Sequence, residues 1–299
     1  MELWIIFSVF AAFCQNIRNS LQKSINTMLS TAGAAYTRFI FGLPLATIYW
    51  IIIRVYDPQP LYFGAGFIGF SALGGVAQVM AMWLLLRSFD HKSFAVGTAY
   101  SKTETLQTAI FTIIILGEVI TSATFFAILI SLVGVCFLSL ANIRVSLKDF
   151  LWSWANKGAL MGLGNGALLG ISAVSYRGAA LSIGGDNPLL AASSTLLVAL
   201  VIQTLIMTIY LWIYEKGELT KIWENRGKGV LVGFASMLGS VGWFTAMAMQ
   251  NAAYVRAVGQ VELIFTFLTS VLIFKEKISR YEVLGTLLIL VGIFLLLFV

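Results

Sequence analysis

Ten long apolar stretches govern what this chain can become, at positions 3–22, 32–53, 63–86, 94–116, 121–141, 158–181, 188–213, 229–249, 254–274 and 281–299. At 1.5 Å per residue, about 20 residues in a helix cross the roughly 30 Å of a bilayer's hydrocarbon. Runs such as "FFAILISLVGVCFLSL" and "VLGTLLILVGIFLLLFV" are apolar on every side, whereas a membrane strand would alternate. Only 11% of the residues are charged and 59% are hydrophobic, against roughly 25% charged in an ordinary soluble domain. Such a chain cannot cover a globule with polar surface. The expected class is an all-α integral membrane protein of ten transmembrane helices, with the lipid bilayer as its first partner.

Charge placement gives a topology. Of nineteen Lys and Arg, fourteen fall at the ends or loops of one side: Arg18, Lys23, Arg87, Lys92, Arg144, Lys148, Lys157, Lys216, Lys221, Arg226, Lys228, Lys275, Lys277 and Arg280. Arg54, Arg177 and Arg256 fall on the other. The positive-inside rule then places the connectors 142–157 and 214–228 in the cytoplasm and both termini outside it. The net charge of +6 is thereby accounted for by topology, and no nucleic-acid partner is called for. The first stretch has no basic leader and no small-residue cleavage pattern, so it reads as a retained span. Cys14 and Cys136 lie within spans as small apolar fillers, and His91, beside Asp90 and Lys92, reads as a solvated turn residue.

The chain repeats itself. Sliding it by 158 residues aligns "AVGTAYSKTETLQTAIFTIIILGEVIT" with "RAVGQVELIFTFLTSVLIFKEKIS", so that Glu104 meets Glu262 and Glu118 meets Glu276 without a gap. Ala99, Thr108, Val133 and Gly134 find identical partners at the same offset. Apolar matches recur by chance in membrane helices, but two rare glutamates in register do not. The expected division is a five-helix unit at 1–141, a cytoplasmic connector at 142–157 and a second unit at 158–299. An odd number of spans per unit inserts the second copy upside down. Inverted repeats are an architecture of secondary transporters, which bind solute near the midplane between them. Glu104, about ten residues into its span, would lie roughly 15 Å deep.

"TETLQTAIFTIIILGEVIT", "VELIFTFLTSVLIFKEKIS" and "TRFIFGLPL" at 37–45 resemble the EamA-type motif of the drug/metabolite transporter superfamily. That resemblance covers essentially the whole chain. It implies ten helices in two inverted EamA repeats and an exporter of amino acids or related small metabolites in a bacterial inner membrane. The family's Pro after the embedded Glu is replaced by Thr105 and Leu263, and the second "GE" reads Lys275-Glu276.

Several polar residues inside the spans are candidates for substrate binding or coupling. Glu104 and Glu262 are either hydrogen-bonded packing groups or proton sites, since burial favours the neutral carboxyl. Lys102 needs a counter-ion; residues two apart on a helix do not face one another, which points to Glu262 and away from Glu104. Arg38 lies near enough to the cytoplasmic edge to snorkel, with a substrate carboxylate as the other reading. Gln15, Asn16, Asn19 and Gln22 make the inner half of the first span too polar for lipid; Gln15, Asn19 and Gln22 share a face that lines a cavity or seals against a helix. Gly158, Gly162, Gly166 and Gly170 form a ridge for close packing, flanked by Asn165 and Ser172. Gln78, Trp83, Tyr100, Trp243, Tyr254 and Gln260 complete the set. Tyr100 stands four residues before Glu104, on its face if the helix is continuous.

Three function classes compete. A secondary transporter working by alternating access needs repeats and midplane polar groups, and both are here. An intramembrane enzyme would need a nucleophile with a base or a metal cluster, but there is no GxSxG, no HExxH, no Walker loop and no histidine within a span. No cofactor or metal is implied. A channel needs a continuous pore, which internal duplication disfavours. The expected partners are a small-molecule substrate and protons, in a monomer or homodimer. The EamA resemblance, together with their polar content, implies that six spans, the first, third, fourth, sixth, eighth and ninth, line the cavity.

Overall fold

A computed structural model describes residues 2–88, 94–143, 154, 156–272, 275 and 279–298. Asp90, His91, Lys92, Arg144, Lys148, Glu276 and Lys277 lie outside the described residues, and with them the turn at 89–93, most of the connector and the second "GE" glutamate. Every described element is helical: α1 Leu3–Ile25, α2 Thr31–Ile40, α3 Gly42–Tyr56, α4 Ala65–Ser88, α5 Phe94–Ser101, α6 Glu104–Phe111 with a π-helical turn Thr112–Leu116, α7 Ser122–Ile143, α8 Lys157–Ser182, α9 Pro188–Tyr214, α10 Glu218–Glu224, α11 Arg226–Met249, α12 Ala252–Gly259, α13 Val261–Leu272 and α14 Arg280–Leu297. Among the described residues, seven spans, with α2 and α3 counted as one, are long and apolar enough to cross a membrane.

Local chemistry sets the boundaries. Asn187 caps α9 by accepting from the Leu189 N–H, with Pro188 at the first helical position. Ser279 and Glu282 close a capping box on α14. Pro44 has no N–H to offer the Ile40 carbonyl, which accounts for the interruption between α2 and α3.

Two stretches read from sequence as continuous helices are broken. The 94–116 stretch parts at Lys102-Thr103, where the Lys102 and Thr103 N–H groups bond back only three residues, to Ala99 and Tyr100. The 254–274 stretch parts at Gln260, whose N–H likewise bonds to the Ala257 carbonyl. Neither break has a proline. The tightened turns are held by side chains: Thr103 Oγ1 donates to the Tyr100 carbonyl at 2.7 Å and Ser101 Oγ to that of Thr98 at 2.7 Å. Lys102 and Gln260 stand 158 residues apart, the offset seen in the sequence.

Gly117 ends the π-turn in the left-handed conformation at φ +66°, as a C-terminal glycine does. At the same offset Lys275 adopts φ +52°, the one non-glycine with positive φ among the described residues. The loss of the second "GE" glycine therefore leaves the turn shape in place and transfers its strain to a lysine.

The chain forms two compact units, each drawn from both sequence halves: Met1–Val79 with Ser175–Gln250, and Met80–Val174 with Asn251–Val299. In the first, α1 runs along α11 so closely that a Cβ on Gly242 would lie 2.8 Å from the Phe7 carbonyl oxygen. Tyr36 Oη and Thr208 Oγ1 join α2 to α9 at 2.5 Å, and Trp50 Nε1 donates to Ser194 Oγ at 2.9 Å.

In the second unit α7 and α14 pack antiparallel around Val135, Leu138 and Ile289. A Cβ on Gly134 would meet the Gly285 carbonyl at 2.6 Å, and one on Gly292 the Ala127 carbonyl at 2.8 Å. The glycine ridge of α8 packs as its spacing suggests, stepping along the interrupted segment: Gly162 against Gly97, Gly166 against Ser101 and Glu104, Gly170 against Thr108.

Candidate functional site

Glu104 opens α6, directly after the break, and its carboxylate is buried. Arg256, from the middle of α12, reaches it through Nη2 to form an ion pair. By sequence, Arg256 falls at an outer loop end, and charge spacing names no partner for Glu104. In the structure this arginine lies one turn before the break at Gln260, aimed at the carboxylate. One turn of α8 glycine, Gly166, lies against the Glu104 backbone, so no side chain separates the two helices there.

Around this pair, Gln260 Nε2 donates to Thr105 Oγ1 across the two broken segments. Lys102 and Gln260, equivalent under the 158-residue offset, line one narrow crevice with Thr105, Ser131 and Val135. Glu262 is half-buried in the first turn of α13, its carbonyl accepting from Thr266. Tyr100 packs among Ala99, Ala159 and Leu163, because the break removes the continuous helix that would have kept it on the Glu104 face. Asn165 is buried, and its Nδ2 donates to the Ala81 carbonyl at 2.6 Å.

The first unit gathers a different polar set. Gln78 Oε1 accepts from Tyr176 Oη at 3.0 Å and from Gln203 Nε2 at 2.5 Å, and Gln203 Nε2 also lies 2.9 Å from Tyr176 Oη. The Tyr176 ring packs on Phe244 with centroids 4.4 Å apart. Trp243 Nε1 donates to Gln15 Oε1 at 3.1 Å, sealing α1 against α11. Asn16 is half-buried with its carbonyl taken by Ser20, while Asn19 is exposed and accepts from Arg18. The Arg38 guanidinium folds over the Phe39 ring at 4.4 Å, its Nε buried. Arg177 donates to the Met247 and Ala248 carbonyls at 3.0 and 2.9 Å, where α11 ends and its last carbonyls need donors.

Against this geometry, residues 156–298 match the EamA-like transporter family. The match spans just under half of the chain, its second half. EamA proteins are membrane transporters; this chain is similar to them over that segment and, among the described residues, has seven helical spans long and apolar enough to cross a membrane. No curated protein matches its sequence. Twenty-eight chains of solved structure do resemble it, one of them a crystal structure 14% identical, with a TM-score of 0.67 over 98% of this chain and 98% of its own. At that identity the likeness shows the fold alone.

The EamA match covers Glu262, Arg256, Gln260, Tyr176, Gln203 and Trp243. Of these, Tyr176 and Gln203 escaped the sequence reading. A signal was present for Gln203, a single amide inside "LLVALVIQTLIMTIY". A carboxamide buried in so apolar a run requires partners. Tyr176 carried no such mark, because a tyrosine near a span end reads as an interfacial anchor.

Proposed function

We propose that this protein is an EamA-type secondary transporter that exports small metabolites, such as amino acids or related organic solutes, by alternating access around a midplane cavity. The observation that carries the reading is a pair of interrupted membrane segments, each broken immediately before an embedded glutamate. Discontinuous helices free backbone groups at midmembrane depth, which is tolerated only where protein or a wet cavity receives them. The Glu104–Arg256 pair at one break supplies ionisable groups at that level.

Inverted duplication is supported by contacts that exchange under the 158-residue offset. Gly134 with Gly285 becomes Gly292 with Ala127 when the shift is applied, and both contacts are close. Helices that exchange in this way are related by a two-fold, and because α7 and α14 run antiparallel, that axis lies across them. Across the helices means in the membrane plane. The halves 1–141 and 158–299 are thus taken as the repeats, with both termini outside the cytoplasm of a bacterial inner membrane and protons as the coupling ion.

Proteoliposome flux tests this reading. Vesicles loaded in turn with amino acids and organic acids should give uptake that saturates, with counterflow against a labelled preload and a rate no faster than μs to ms conformational cycling. Flux linear in solute without counterflow identifies a channel instead. Labelling of cysteines introduced at each end of the chain, from either side of the membrane, checks the termini.

A further inference from the structure

Four helix ends meet within the unit Met1–Val79 with Ser175–Gln250: the close of α1, the start of α2, the close of α9 and the start of α11, with the short α10 between the last two. Charge is sorted there by direction. Glu218 and Ile222, one turn apart, form the buried face of α10. The Glu218 carboxylate accepts from the Ser30 N–H and lies 3.2 Å from Lys221 Nζ, while Glu215 accepts from Ser30 Oγ. Both acids are thereby engaged in holding the start of α2.

The cations face outward. Arg226 and Lys228 are exposed and have no carboxylate partner among the described residues. Arg226 Nη1 donates to the Trp223 carbonyl at 3.2 Å, and its guanidinium stands 5.7 Å from the centre of the exposed Trp223 ring. Lys228 Nζ reaches across to Sδ of the exposed Met28, 3.7 Å away in the turn between α1 and α2. A Cβ on Gly227, between the two cations, would meet nothing within 4 Å. Glu224 is the one exposed acid in the segment 214–228, against exposed Lys216, Lys221, Arg226 and Lys228.

Neither Arg226 nor Lys228 stabilises its own helix. Both stand in the first turn of α11, where the helix dipole disfavours positive charge, and no acid stands there to offset them. Aromatic rings mark the depth of the patch: Trp212 and Tyr214, closing α9, are exposed like Trp223. Such rings at span ends sit at the level of lipid headgroups, where each cation strengthens attraction to anionic lipid about fivefold. Topology accounts for an excess of cations on one side, but not for acids bonded inward while cations, a ring and a thioether face out together.

We infer that Trp223, Arg226, Lys228 and Met28 form a docking surface for an anionic phospholipid, with the cations on its headgroup and the ring and thioether against its glycerol and first acyl carbons. The inference rests on the proposed function only for the bilayer. It requires no transport.

The test is thermal unfolding of the purified full chain in a neutral detergent, titrated with dioleoylphosphatidylglycerol or dioleoylphosphatidylcholine. Phosphatidylglycerol should raise the midpoint saturably and at lower concentration than phosphatidylcholine, and high salt should shrink the difference. Arg226→Gln and Lys228→Gln should each weaken half-saturation by phosphatidylglycerol about fivefold, and the two together about 25-fold. Trp223→Ala should weaken it severalfold. The exchange Arg226→Lys with Lys228→Arg, which keeps both charges, should retain the response, as should Arg280→Gln, an exposed cation of the other unit. Should the double Gln variant fail to fold, the single variants and the exchange carry the comparison.

Equal response to the two lipids, wild-type preference in the Gln variants, or an equal loss in Arg280→Gln overturns the proposal. Glycerol phosphate acting at the same concentration as the lipid overturns it too, and marks a site for soluble phosphates. Flotation with vesicles separates the readings: a chain that floats with neither lipid fails as a membrane protein and takes this surface with it. Phosphatidylglycerol preference together with linear, unsaturable flux keeps the surface and discards the carrier.

Discussion

Arg256 and Glu104 form an ion pair that ties α12 to the start of α6, with the carboxylate nearly buried and the guanidinium only about one-fifth exposed. Each side chain alone would be a charge out of water; together they hold two interrupted segments in register. Removing one partner strands the other, which in a buried pair costs about 3 kcal/mol or more. Arg256→Gln should therefore destabilise the protein by roughly that amount. The double variant Arg256→Gln with Glu104→Gln should recover much of the loss, because two neutral amides leave no stranded charge. Thermal or denaturant unfolding of the four species in one detergent measures the coupling; additive losses would show that the pair does not act as a unit.

Lys275 pays a backbone penalty that Gly117 avoids. Left-handed φ costs an L-residue about 1 kcal/mol, part of which glycine returns as unfolded-state entropy. Lys275→Gly should raise stability by about 0.5 kcal/mol, and Gly117→Ala should lower it by about 1 kcal/mol. There is open space around a Cβ at Gly117, so its loss would report conformation and not crowding. Unfolding midpoints of the two variants decide the matter.

The glycine ridge on α8 is sensitive to a single methyl. A Cβ on Gly162 would press into the Gly97 carbonyl, backbone that cannot swing aside. Gly162→Ala should cost about 2 kcal/mol or prevent assembly, in the range of overpacked cores. Gly69, with nothing within 4 Å, provides the control: Gly69→Ala should be neutral or stabilising by up to about 1 kcal/mol. Monodispersity and melting temperature separate the two.

Gln260 and Thr105 hydrogen-bond across the broken segments. Side-chain bonds between membrane helices average about 0.6 kcal/mol and reach about 1.7. A double-mutant cycle with Gln260→Leu and Thr105→Val should give a coupling energy within that range. Zero coupling would mean that the contact contributes nothing to holding the segments together.

Ser30 caps α2 twice over. Its Oγ accepts the Gly33 N–H at 2.9 Å while its own N–H goes to the buried Glu218 carboxylate at 2.5 Å. Ser30→Ala should cost about 1 kcal/mol, the usual price of a lost cap. The effect is readable as a lower unfolding midpoint, with Thr at the same position restoring most of it.

How much of this was legible beforehand depends on the range over which each feature is specified. The apolar runs, the α8 ridge from Gly158 to Gly170 and the recurrence of Glu104 at Glu262 are local patterns, and reading them required only spacing and hydropathy. The family match over residues 156–298 agrees with the resemblance read from Glu262 and its neighbours. The breaks at Lys102-Thr103 and Gln260 were not legible, since neither has a proline and the polar residues at each are short interruptions in longer apolar stretches. Nor was Arg256 as the partner of Glu104, because a cation near a span end reads the same whether it meets water or turns inward.

Sequence alone therefore determined that this chain forms long apolar helices, that two glutamates recur in register 158 residues apart, and which rare polar side chains sit within the apolar stretches. Tertiary structure alone decided which of those side chains meet: Arg256 with Glu104, Gln260 with Thr105, Gln203 with Gln78 and Tyr176. The division has a physical cause. Transfer from water to lipid is a sum over neighbouring residues and can be read along the chain, whereas an ion pair or amide cluster depends on the register of helices remote in sequence, which is fixed only when close-packed surfaces such as Gly134 on Gly285 lock together.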